Sequence, residues 1–323
     1  MIDRRGFLAA AASAAVAALG GCALAPAPPP FRLMVPNPPG GGYDVTARTV
    51  AATLDEAGLV PDVEVFNLPG SAGTAALARL VYEEGNAGLL LQMGLGMVAR
   101  THLTADAAPV TRTTPLARLL EEPIVLLVPP ESPFRAFADL RAAWEAADAP
   151  LRVGGGSSSG GPDHLALMLL AERLGLSGGA TEYVWHDGGG ETLAALLDRS
   201  VDVAASGAGE YRHAIAAGEL RPLAVTGERR VPGVDAPTLR ELGIDLAFVN
   251  WRGLLAPPGI GAADRSRLIA TLTELRSTPQ WQAALADNHW SDAFLTGGDF
   301  GAFLAAEDRR VERLLARLDV GGG

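Results

Sequence analysis

An apolar extended run that ends in a glycine-rich turn, with a helix starting at once, recurs along this chain. "FRLMVPNPPGGGYDVTAR" opens the series at Phe31, and "VEVFNLPGSAGTAALARL", "LRVGGGSSSGGPDHLALMLL" and "EYVWHDGGGETLAALL" repeat the design. Strands alternating with helices bury both faces of a sheet, so the pattern predicts an α/β fold on a mostly parallel or mixed sheet. Ligands of such sheets sit at the carboxyl ends of the strands. The glycine turns lie there.

The chain has 323 residues, enough for two units at roughly 150 residues each. In the first unit a helix is expected over Tyr43–Ala57, with Val45, Val50 and Leu54 on one face and Gly58 as its stop. "EEPIVLLVPPESPF" reads as the crossing into a second unit, where Ser132 caps a helix that has Pro133 at its first position. "LAFVNWRGLLAPPG" reads as the return, with Trp251 packing at the hinge, and three helices close the chain. The expected division is a leader at 1–21, a tether at 22–30, one lobe at 31–128 plus 252–323, and a second lobe at 129–251.

"DRRGFLAAAASAAVAALGGC" carries twin arginines, a short Ala-rich apolar run and small residues before Cys22. Such a segment fits an export signal better than a membrane span. "LGGC" matches a bacterial lipobox, which predicts lipidation of Cys22 and a stiff tether, "ALAPAPPP", beyond it. Cys22 is the only cysteine, so the chain forms no internal disulfide. The formal charge is −11, and all 26 basic residues are Arg. An acidic chain without a basic cluster is a poor match for a nucleic-acid backbone.

A glycine turn before a helix suits a phosphate, an oxyanion or a carboxylate. "PPGGGYD" lacks the Lys of a phosphate-binding P-loop, and the chain has no Lys at all. Gly156-Ser157-Ser158-Ser159-Gly160 matches G-x-S-x-G between a strand and a helix, which keeps a serine hydrolase open, with Asp264 or Asp287 and His289 as partners. The five histidines are scattered without metal-ligand spacing. Free N–H groups at helix starts favour a carboxylate directly, through hydrogen bonds and the helix dipole. No metal or other cofactor is called for.

Taken together, "VPNPPGGGYDVTAR", "GGGSSSGGPDHLA", "HDGGGETLAALLDRSVDVAASG", "LRPLAVTGERR", "DAPTLRELGIDLAFVNWRGLLAPPGI" and "WSDAFLTGGDFGAFL" resemble, in order, the tripartite tricarboxylate transporter receptors, the TctC/Bug family of extracytoplasmic solute-binding proteins. The resemblance runs from about Phe31 to Leu318. It implies a two-lobed periplasmic-binding-protein fold of type II-like design, with two sheets and flanking helices around a central cleft. It implies a non-enzymatic, monomeric receptor that binds a di- or tricarboxylate such as citrate and delivers it to a two-component membrane permease. Presentation of the ligand to a signalling partner is the alternative within that scheme. Carried over, the first ligand loop is Gly40, Gly41, Gly42, Tyr43 and Asp44, and the facing loop is Ser157, Ser158, Ser159 and Gly160. Ser71, Ala72 and Gly73 are expected to line the cleft, and Ser206 to make a distal contact. Tyr43, and His186 with Asp187, depart from the family's commoner residues and put citrate itself in question.

Overall fold

The computed structural model describes residues 31–146, 149–176, 178–186, 188–318 and 320. The leader, Cys22, the tether and Asp187 lie outside the described residues. Three parallel strands open the fold: β1 (Arg32–Val35), β2 (Glu64–Asn67) and β3 (Leu89–Gly94). Helices α1 (Gly42–Glu56), α2 (Thr74–Tyr82) and α3 (Leu95–Leu103) follow them in turn. Leu33 and Val35 of β1 bury against Ala47, Val50 and Leu54 of α1, because side chains spaced by two on a strand meet side chains spaced by three or four on a helix.

β4 (Thr114–Val128) is the long member of the sheet. Then come α4 (Phe137–Ala146), β5 (Leu151–Gly155), α5 (Pro162–Arg173), β6 (Thr181–Trp185), α6 (Gly189–Leu197), β7 (Val203–Gly207), α7 (Arg212–Ala216), β8 (Arg221–Val225) and β9 (Val249–Ala256). The chain closes with α8 (Ala262–Ser277), α9 (Pro279–Asp287), β10 (Ser291–Thr296) and α10 (Gly297–Arg317).

Strand order is β2-β1-β3-β9-β4-β7-β5-β6, with β8 and β10 also paired to β4. β4 joins two parallel blocks. Its residues from Thr114 to Pro123 run antiparallel to β9, and those from Ile124 to Val128 run antiparallel to β7 and β8. β5 lies parallel between β6 and β7. The result is the α/β architecture that the alternation of elements predicts, and it agrees with the periplasmic-binding-protein fold that the resemblance implies. α10 packs back on the first block, burying Phe300, Leu304, Val311 and Leu315.

Three local expectations are corrected. β4 begins at Thr114, well before the apolar run at Ile124, because pairing with β9 holds the mixed stretch "TPLARLL" extended. Ser132 does not cap a helix; its hydroxyl accepts from Phe134 N–H, and α4 starts at Phe137 after Asp139 takes the N–H groups of Arg135 and Ala136. Between the second and third C-terminal helices lies a strand, β10, whose partner is β4.

Candidate functional site

At the middle of β4 the chain turns a carboxylate inward. Glu122 is 1 % exposed and pairs with Arg252 of β9, itself 3 % exposed. Trp290 Nε1 donates to Glu122 Oε2 at 3.1 Å, and Arg252 Nη1 donates to Thr46 Oγ1 at 3.1 Å. Strand alternation explains the placement: Trp251 faces the apolar core, where it meets the edge of Phe303 and donates to Glu307, so Arg252 must face the other way. Trp251 is thus a packing residue.

Around this pair is a cavity of about 120 Å³, lined by Gly40, Gly42 and Val45 on one side and Gly189, Gly190, Gly209, Glu210 and Arg212 on the other. Asn288 and Trp290 complete it. Two helix starts face each other across it, that of α1 from the first block and that of α6 from the second. They approach closely, since a Cβ placed on Gly188 would lie 3.8 Å from Gly41 Cα.

The absence of side chains at these turns is what admits the charged groups. A Cβ on Gly42 would collide with Arg252 Nη2 and lie 3.0 Å from Glu210 Oε1, while one on Gly189 would lie 2.6 Å from Glu210 Oε2. Glu210 therefore reaches between the two helix starts, 4.0 Å from Arg252 Nη2. Burial, and then the charge of Glu122, push its carboxyl up to about 7. Asp163, at the start of α5, is also buried, and burial followed by the charge of Glu210 raises its carboxyl well above the usual range.

Of the residues carried over from the resemblance, Gly40 and Gly42 line this cavity, and Gly41 lies between them facing Gly188. Tyr43 turns away from it: its hydroxyl accepts from Met97 N–H, beside Gly96 and Pro162, and burial raises it to about 12. Asp44 braces its own loop, accepting from Gly40 N–H, Arg48 and Asn67 at 2.9 Å each. Burial works against its charge, but these bonds hold its carboxyl below the ordinary value.

Ser71 and Ala72 are exposed, and Gly73 packs on Pro36 and Met97. Ser157 caps α5, its hydroxyl accepting from Asp163 N–H at 3.2 Å. Ser158 O accepts from Gly161 N–H, Ser159 is exposed, and Gly160 is wedged against Leu103 and Leu315. His186 follows β6 and stands 3.5 Å from Thr192 Oγ1. Ser206 is buried on β7 opposite Val125. Glu122, Glu210, Arg212, Arg252, Asn288 and Trp290 were not singled out from the sequence, although "GGGE" did point at the turn containing Gly189 and Gly190.

Among the described residues no hydrolase triad assembles around Ser158. His164 Nδ1 accepts from Gly160 N–H, and its ring lies tilted against Tyr183 with 4.6 Å between centroids. His289 lies instead against Gly233, and Asp264 pairs with Arg267.

The family model described as "Tripartite tricarboxylate transporter family receptor" matches residues 46–320. A UPF0065 protein of Cupriavidus necator is 25% identical over 330 residues, covering 98% of each chain. The malate-bound MatC of Rhodopseudomonas palustris superposes with a TM-score of 0.74 at 24% identity, over 88% of this chain and 98% of that one. An adipate-bound R. palustris protein gives 0.80 at 23%, over 90% and 97%. These likenesses carry the fold, and the family match carries the role. The chain belongs to the tripartite tricarboxylate transporter receptor family, and it is a solute-binding receptor rather than an enzyme.

Proposed function

We propose that this receptor takes a small organic acid, a di- or tricarboxylate, into the cavity between Gly42 and Gly189 and hands it to a membrane permease. One observation carries the reading: two helix starts from opposite blocks converge on one cavity that Arg252 and Arg212 also line. The start of a helix presents N–H groups that the helix itself does not satisfy and the positive end of its dipole, worth about 0.3–2 kcal/mol per contact with an anion. Arg252 adds a fixed cation whose Nε has no partner among the described residues. The malate and adipate bound by two proteins of like fold are acids of this class.

The two blocks close over the ligand, which dries the cavity and strengthens each N–H to carboxylate bond. The receptor works outside the cytoplasm, held at the membrane by a lipid on Cys22. Retention of a Cys22→Ser protein in the membrane fraction would show that something else holds it. The central test is a thermal-shift screen of the mature chain against organic acids, amino acids, sugars and cations. A ligand at 100 times its dissociation constant stabilises by about 2.7 kcal/mol. Carboxylates are expected to raise the melting temperature; a response to sugars or cations alone sinks the reading.

A further inference from the structure

A cavity built to take one more anion would not be expected to hold buried carboxylates of its own, yet this one does. Glu210 Oε1 and Oε2 lie beside Gly42 and Gly189, the two positions at which the helix starts meet the cavity. The side chain is 19 % exposed and stands 4.0 Å from Arg252 Nη2, too far for a direct hydrogen bond. Glu122 already accepts from the same Nη2. Asp163 couples to Glu210 from α5, and Arg212 lies on the cavity wall from α7. Arg252 is 3 % exposed, lines the cavity, and keeps its Nε without a partner among the described residues. The cavity therefore sets the buried Arg252 guanidinium and a Glu210 acceptor within one small space.

A plain carboxylate entering here would meet the arginine and the helix starts favourably and the Glu210 carboxylate unfavourably, with little water left to screen the repulsion. An acid that also carries a donor beside its carboxylate turns that repulsion into a charge-assisted hydrogen bond. We propose, resting on the carboxylate reading above, that Glu210 selects the ligand: the cleft prefers an acid bearing a hydroxyl or ammonium group on the carbon next to its bound carboxylate. The carboxylate goes to Arg252 and the helix starts, and the donor goes to Glu210. Selection of this kind is partly repulsive, since an analogue without the donor leaves a buried acceptor facing a like charge.

The test uses acids that differ only in the donor: succinate against malate and aspartate, tricarballylate against citrate, and phenylacetate against mandelate. Titration calorimetry at pH 8 on the mature chain is expected to show at least about a tenfold preference for the donor-bearing member of a set. Malate preferred over aspartate identifies a hydroxyl, and the reverse identifies an ammonium. Glu210→Ala is expected to bring the two members to within about twofold, by weakening the donor-bearing acid and tightening the plain one. Equal binding of both members by the parent chain overturns the inference while leaving the carboxylate reading standing, as does a preference that survives in folded Glu210→Ala. If no acid of any set binds, the carboxylate reading falls and this inference falls with it. The comparison within the parent chain needs no variant to fold.

Discussion

Glu122 and Arg252 form an ion pair where the two parallel blocks meet, with side chains only 1 % and 4 % exposed. Neither residue can lose its partner cheaply, because a lone charge remains in a place that water does not reach. Arg252→Met is expected to destabilise the chain by about 3–5 kcal/mol in denaturant titrations. Adding Glu122→Gln should recover most of that loss, since the amide still accepts from Trp290 without a charge. Ligand binding should stay lost in the double variant. Recovery of binding with stability would show that the pair holds the fold alone.

Gly42 and Gly40 act through different physics, one through contact with the charged pair and one through backbone strain. Gly42→Ala places a methyl group against Arg252 Nη2 and Glu210 Oε1 at a backbone conformation open to any residue. It is expected to weaken ligand binding by at least about tenfold, or 1.4 kcal/mol, and to lower the melting temperature as well, because the buried Arg252–Glu122 pair must shift to admit the methyl group. Gly40 has φ of +91° and open space around its Cβ position. Gly40→Ala should therefore cost about 1–3 kcal/mol of stability through backbone strain. Calorimetry and thermal melts on both variants check the contrast.

The Glu210 carboxyl makes stability depend on pH. Its ordinary value is 4.5, and burial with the charge of Glu122 raises it to about 7 in the folded chain. Between these values the folded state holds a proton that the unfolded state has released, so stability falls as pH rises through this window and is level above it. Asp163, raised mainly by burial and coupled to Glu210, acts in the same sense. His164 acts oppositely: burial lowers it to about 4, so its contribution is lost as pH falls below 6.5. Glu210→Gln is expected to flatten the slope between pH 4.5 and 7 and to stabilise the chain at pH 8 by about 1–3 kcal/mol. Parallel slopes for parent and variant would place the titration elsewhere.

Ser158 sits in a G-x-S-x-G turn without the neighbours that would activate it. His164 is committed to Gly160 N–H, and His289 lies by Gly233. A fluorophosphonate probe is expected to leave Ser158 unlabelled. Stoichiometric labelling, abolished by Ser158→Ala, would reveal a nucleophile.

The alternation of strands and helices, the glycine turns and the start of α1 were all legible in the sequence, because they follow from short-range rules. Period-two and period-3.6 patterns mark which face of an element is apolar, and glycines mark where a helix start is left open to a ligand. The turn at Gly40–Gly42 was found in this way. β10 was not legible: "SDAFLT" has a modest strand pattern, and its pairing with β4 is what holds it extended. Nor was the charged heart of the cleft. Glu122, Glu210, Arg252 and Trp290 come from four separate stretches of sequence, and each looks ordinary alone: an acid in "EEP", one in "GAGEY", an arginine beside a core tryptophan, and an indole after α9. The sequence by itself determined an α/β chain with glycine turns before its helices and, through its ordered motifs, a receptor family. Only the tertiary structure decided that β4 runs through both blocks and pairs with β9 and β7, which carries an acid, an arginine and two helix starts into one small cavity. The physical reason is that cross-strand pairing sets which distant residues share a face, and no local pattern encodes that choice.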